Sequence, residues 1–217
     1  LCAVLRGFLN DTPEARKFTD IVRARGSVRS ALPWCNEHHV SLRDIADVAS
    51  HDMVIANGIH DVVGENDELW ILGDLSFRCS WQKLEPLLVS LCIERSRLHL
   101  VVGNHDGCFL FNGNVDSRRC SRERLSKYFS SIDEHACLDV SRYGIHGVRK
   151  LMLSHFPWRE TSISSGEQPH RGELVDVMPL KRDAKRGTWL AYGHTHSADW
   201  DQYVSFDAVH VGCDSWG

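Results

Sequence analysis

The chain has 217 residues, a formal net charge of −4 at pH 7, 42% hydrophobic and 25% charged positions, which is the profile of a globular protein with enough length to bury a core. That charge excludes whole-molecule attraction to polyanions, so a phosphate-bearing ligand needs a local cation. No apolar run approaches the roughly 20 residues of a membrane helix and no basic-then-apolar leader opens the sequence, so a cytoplasmic protein, without membrane contact and folded as a single domain over 1–217, is expected.

In chain order, Thr12-Pro13-Glu14 has the form of a helix start, with a hydroxyl cap, proline at the first helical position and an acid in the first turn; Gly26 ends that helix. Ser41 opens a second helix, in which Ile45, Val48, Met53, Ile55 and Ile59 recur at helical spacing and predict one face laid on a sheet. "ELWIL" (68–72) reads as a buried strand after a turn-like Glu65-Asn66-Asp67, and Ser80 caps a helix to about Leu91. "LHLVV" (98–102) is a strand, a loop runs to Asn114, and "SRERLSKYF" from 121 is helical. "CLDV" (137–140) and "KLMLS" (150–154) are strands flanking a turn near Gly144 and Gly147. Residues 159–187 read as loop, "TWLAY" (188–192) as a strand and "YVSFDAVHVG" as a closing hairpin. Strands alternating with helices, then hairpins, indicate a layered α/β domain.

Eight cysteines without a C-x-x-C pair read as reduced, mostly buried thiols. The polar residues are more telling. Four apolar strands run into polar tips: Gly73-Asp74, Gly103-Asn104-His105-Asp106, Ser154-His155-Phe156-Pro157 and Gly193-His194-Thr195-His196. Ligands of α/β sheets bind beyond the carboxyl ends of strands, so these tips are expected to converge. Glycine before the polar group allows a sharp turn and close backbone approach. Asp, Asn and His suit borderline metals such as manganese, iron or zinc, whereas magnesium or calcium favours oxygen alone. Two ions bridged by a carboxylate clamp the attacking and leaving oxygens of a displacement at phosphorus. His38, His39, His51, His60, His146, His170 and His210 read as surface or structural, and the basic stretch 117–124 as a solvated helix start rather than a phosphate contact.

"GD" (73–74), "GNHD" (103–106), "SHFP" (154–157) and "GHTH" (193–196) resemble, in order and spacing, the calcineurin-like metallophosphoesterase family, and from about residue 50 the chain looks like its small bacterial and phage members. The resemblance implies a β-sandwich flanked by helices and hydrolysis of phosphate mono- or diesters at two divalent ions through a metal-held hydroxide; nucleotides and nucleic acid are among the substrates it admits. It implies that Asp74 bridges the ions, that Asn104, His155 and His194 complete one shell, and that His196 binds the other ion. His105 would stand beside the scissile phosphate, with Asp106 orienting it. The family's first motif, Asp-x-His after the first strand, is not found in place. Val22 stands where Asp20 would require a histidine, and no apolar strand is expected to run into Asp133-Glu134-His135. The expectation is a chain whose first strand and motif lie upstream of Leu1; the alternative is a degenerate, single-ion scaffold. The stretch 10–50 fits the family poorly and reads as an insertion.

Overall fold

The computed structural model describes residues 7–76, 80–158, 187–194 and 207–212. They fall into two compact units that divide between Val62 and Val63.

The first unit is helical. In α1 (Pro13–Arg25) the extended Thr12 accepts the Ala15 N–H through its side chain, and the N–H of a left-handed Gly26 returns to the Val22 carbonyl, as the cap signals predict. Its buried residues Ala15 and Phe18 pack with Ala31, Cys35, Ile45 and Ala46, drawn from a 3-10 turn (Val28–Ala31), α2 (Leu32–Glu37) and α3 (Leu42–Ile45). The single helix expected from Ser41 is in fact two, α3 and α4 (Val48–Val62). Ala46 is extended and bridges to Leu9, while the Asn10 amide donates to the carbonyls of Asp44 and Ala46. The Asp47 carboxylate then accepts the Ser50 N–H and restarts the helix. Helical periodicity alone hides this break, because the competing partners lie more than 30 residues away. The expected apolar face of α4 also fails, since Val48 and Met53 are 49% and 58% exposed and the buried positions are His51 and Ala56.

The second unit holds two sheets. In the first, β1 (Leu69–Leu72), β2 (Leu98–Val101) and β3 (Ser131–Asp133) lie side by side in parallel. In the second, β4 (His135–Asp139) is antiparallel to β5 (Lys150–Ser154), and β5, β6 (Thr188–Tyr192) and β7 (Ala208–His210) run parallel. Period-two alternation divides each strand between two layers. Val101, Leu153 and Ala191 join Trp70, Leu72, Ala136, Leu138, Leu151 and Val209 in one core. On the opposite face of the second sheet, Trp158 covers Leu190, Tyr192 and Ala208. Helices α5 (Trp81–Ser90) and α6 (Val115–Leu125) complete the mixed α/β arrangement, two sheets with flanking helices as expected.

Two local expectations change. Helix α6 begins six residues earlier than the predicted 121, because Asn114 and Ser117 form a reciprocal capping box. Strand β3, unexpected because only Ile132 is apolar, does run into Asp133-Glu134-His135. Strand β7 pairs in parallel with β6; residues 203–206, and with them the expected closing hairpin, lie outside the described residues, as does the loop 159–186.

Candidate metal centre at the strand tips

Parallel strands place their carboxyl ends together, and the register puts Leu72 beside Val101 and Ser154 beside Tyr192. The chain leaving each end therefore meets the others. Gly73 has a φ of 81°, and a Cβ there would stand 2.6 Å from the Gly103 backbone and from Nδ1 of His155. A Cβ on Gly103 would run into the amide and carboxylate of Asp74. Only glycine lets these two tips touch.

Asp74 and His194 follow glycines and hold left-handed backbones, with φ of 53° and 71°. Non-glycine residues in that region are strained, and such strain gathers where a side chain must be aimed. Asn104 Oδ1 lies 3.0 Å from His155 Nε2 and 3.0 Å from His194 Nδ1, and the two imidazole nitrogens are 3.1 Å apart. Asp74 Oδ2 is 3.4 Å from His155 Nε2 and 4.0 Å from His105 Nε2, and Asp74 Oδ1 accepts the His105 N–H at 2.9 Å. His155 is 2% exposed, whereas the His105 side chain is 40% exposed at the rim.

The protonation pattern inside this cluster decides what it can hold. His155 Nδ1 sits 2.8 Å from the Leu72 carbonyl, which can only accept, so Nδ1 carries the proton. In the neutral ring Nε2 is then a bare lone pair, and it faces an amide oxygen and a carboxylate oxygen, both acceptors. With the His194 ring turned to offer its Nδ1 lone pair as well, a divalent cation at this point would be held by all three atoms at once. Donor atoms of one ion, each about 2.1 Å from it, stand about 3.0–3.4 Å apart, and the separations here fall in that interval. An imidazole oriented by its other N–H on a backbone carbonyl is the usual outer support of a metal ligand. The residues therefore fit a divalent ion. Among the described residues no three His, Cys, Asp or Glu side chains close a shell by themselves, so the amide of Asn104 is integral to this one. His196 lies outside the described residues.

Asp106 is 4% exposed, and its carboxylate accepts the N–H groups of Gly103, Asp74 and Leu75 at 2.8, 3.1 and 2.9 Å. It thus latches the first tip to the second. Burial pushes its pKa up to about 7 against the lowering effect of the Gly103 N–H, and the charge on Asp74 adds to the rise.

Two supports escaped sequence reading. Asn112 donates to the carbonyls of Asn104 and Asp106, which bracket His105, both at 2.8 Å. Phe156 packs edge-on to His155 and tilted against His194, with ring centres 4.9 and 5.0 Å away. An asparagine eight residues past Asn104 carries no signal of its own, although the phenylalanine of "SHFP" does adjoin a predicted ligand. Asp133 and His135 end β3 and open β4 but are exposed; among the described residues Asp74 contacts His105 and His155. The arginines of α6 are occupied: Arg118 on the carbonyls of Asn112 and Gly113, Arg122 on that of Ile132, Arg119 with Asp116, and Arg124 over Trp81.

Fold and site together define a two-sheet α/β protein with a glycine-hinged cluster of Asn, His and Asp at its strand ends. The chain belongs to the calcineurin-like phosphoesterase family, whose match spans residues 34–198. It is 31% identical over 184 residues to the Gene 66 protein of Mycobacterium phage L5, covering 82% of this chain and 81% of that protein. It is also 30% identical over 170 residues to the Gene 66 protein of Mycobacterium phage D29, covering 76% of each. No solved structure matches the chain. Among the described residues no helix is long and apolar enough to cross a membrane. Family membership supports a metal-dependent hydrolase of phosphoesters.

Proposed function

We propose that the protein hydrolyses phosphate mono- or diesters at two divalent ions, manganese, iron or zinc, and does so in the cytoplasm. The observation that carries this reading is the convergence of Asn104 Oδ1, His155 Nε2 and His194 Nδ1 beside the Asp74 carboxylate. Asn104, His155, His194 and Asp74 would hold one ion, with Asp74 shared and His196 assigned to the second. When bound, such ions neutralise phosphate charge and lower the pKa of a coordinated water toward neutrality. The chain itself supplies the rest. The Leu72 carbonyl and Phe156 fix the His155 ring, and Asp106 holds the two glycine tips in contact. His105, at the exposed rim with its amide on Asp74, would donate a proton to the departing ester oxygen.

A second reading, a single-ion scaffold without turnover, is favoured by the grouping of the described donors around one point. Metal content after dialysis separates the two: two ions per chain with manganese-dependent release of 4-nitrophenol from an aryl phosphodiester supports the hydrolase. One ion and no turnover establishes the scaffold.

A further inference from the structure

The loop 107–115, "GCFLFNGNV", bears no charged side chain, and Leu110, Phe111 and Val115 are 50%, 40% and 67% exposed. Exposed apolar side chains on a flexible loop would be unremarkable, but this loop is fastened. Its Asn112 side chain is bonded to the carbonyls of Asn104 and Asp106, and Arg118 grips the carbonyls of Asn112 and Gly113. Phe109, 2% exposed, anchors it from below. A chain of ring contacts runs outward from the candidate metal centre: His155 and His194 against Phe156, Phe156 to Phe109 at 6.0 Å, and Phe109 edge-on to Phe111 at 5.7 Å. The last ring is the one left open to solvent.

We propose that Leu110 and Phe111 form a fixed apolar shelf that receives an aromatic ester group of the substrate, an aryl ring or a nucleobase, while its phosphate lies at the strand tips. The inference rests on the hydrolase reading above and adds the substrate class. The occupant follows from three observations: the shelf is tied to the residues bracketing His105, so it keeps its position relative to the reacting phosphate. It is uncharged over nine residues, which disfavours a polyanionic backbone and suits a neutral planar group. Its outermost ring offers a face or edge for stacking, an interaction that discriminates aromatic from alkyl groups.

The test compares kcat/KM of the manganese-loaded full chain for phenyl 4-nitrophenyl phosphate and methyl 4-nitrophenyl phosphate, which share one leaving group. The expected phenyl preference is about tenfold, falling toward one in Phe111→Ser and Leu110→Ser and retained in Phe111→Tyr. Calorimetric binding of phenylphosphonate against methylphosphonate should show the same ratio. A flat ratio in the unaltered protein for the two phosphonates, which carry no second ring, or one that the serine variants leave unchanged, overturns the shelf while turnover of the esters upholds the hydrolase. No turnover of either ester overturns the hydrolase reading and the shelf with it. If Phe111→Ser instead converts a sedimenting dimer to monomer at an unchanged ratio, a second copy covers the patch and the proposal falls. A stronger effect with thymidine 5′-(4-nitrophenyl phosphate) than with the phenyl ester assigns the shelf to a nucleobase, and an equal effect to a simple aryl group; both uphold it.

Discussion

A single methyl group is enough to test how the tips are held together. Gly103→Ala would push Cβ into the carboxylate and the backbone N of Asp74, the second of which cannot swing away, and should cost about 1–3 kcal/mol in urea unfolding together with metal affinity. Asp106→Asn replaces one acceptor oxygen with an NH2 group that faces backbone donors. Leaving one of those buried N–H groups unpaired should cost about 1–3 kcal/mol, again read from urea unfolding. His194→Ala and Asp74→Asn make the opposite comparison: metal content measured by mass spectrometry should drop while the circular dichroism spectrum is kept. Both substitutions remove a donor from a tip, and neither side chain belongs to the apolar core. If both variants unfold instead, the cluster is structural.

At the scale of elements, β2 is the centre of the first sheet, and Leu100 within it is fully buried. Leu100→Ala should therefore destabilise the second unit by about 2–5 kcal/mol, measured by chemical denaturation. This strand was plain in the sequence, as were β1, β5 and β6, because a short apolar run ending at a polar tip has few other readings. Strand β3 was not, since its one apolar residue, Ile132, gives no period; it exists because Leu98 accepts the Ser130 N–H and Asp133 accepts that of Val102. Helix α4 illustrates the same limit from the other side. Its spacing was legible, but its start was set by Asp47 and its burial by His51 and Ala56, which apolar periodicity cannot foresee. The site reads similarly: Asp74, Asn104, His155 and His194 stood out by type and position, and the structure brings them within contact. The supporting Asn112 and the carbonyl of Leu72 emerged only with the fold, because hydrogen-bond partners distant in sequence leave no local mark.

For the molecule as a whole, the two units should respond differently to metal. An ion that binds only the folded state stabilises it by mass action, about 2.7 kcal/mol at a hundredfold excess over Kd. Manganese is accordingly expected to slow amide hydrogen exchange in β1, β2, β5 and β6, with α1 to α4 unchanged; equal protection in both units would contradict a site confined to the strand tips. The tips themselves carry a consequence for synthesis. Asn104 and His194 touch across 90 intervening steps of the chain, and His194 follows the parallel pairing of β5 with β6, a slow non-local closure. A ribosome that has released the chain through His155 has made Asp74, Asn104 and His155 but has not closed the cluster, which waits for His194. Closure of the cluster would therefore mark the last stage of folding, and metal that needs His194 is expected to act as a lock on the finished sheet rather than as a seed for it.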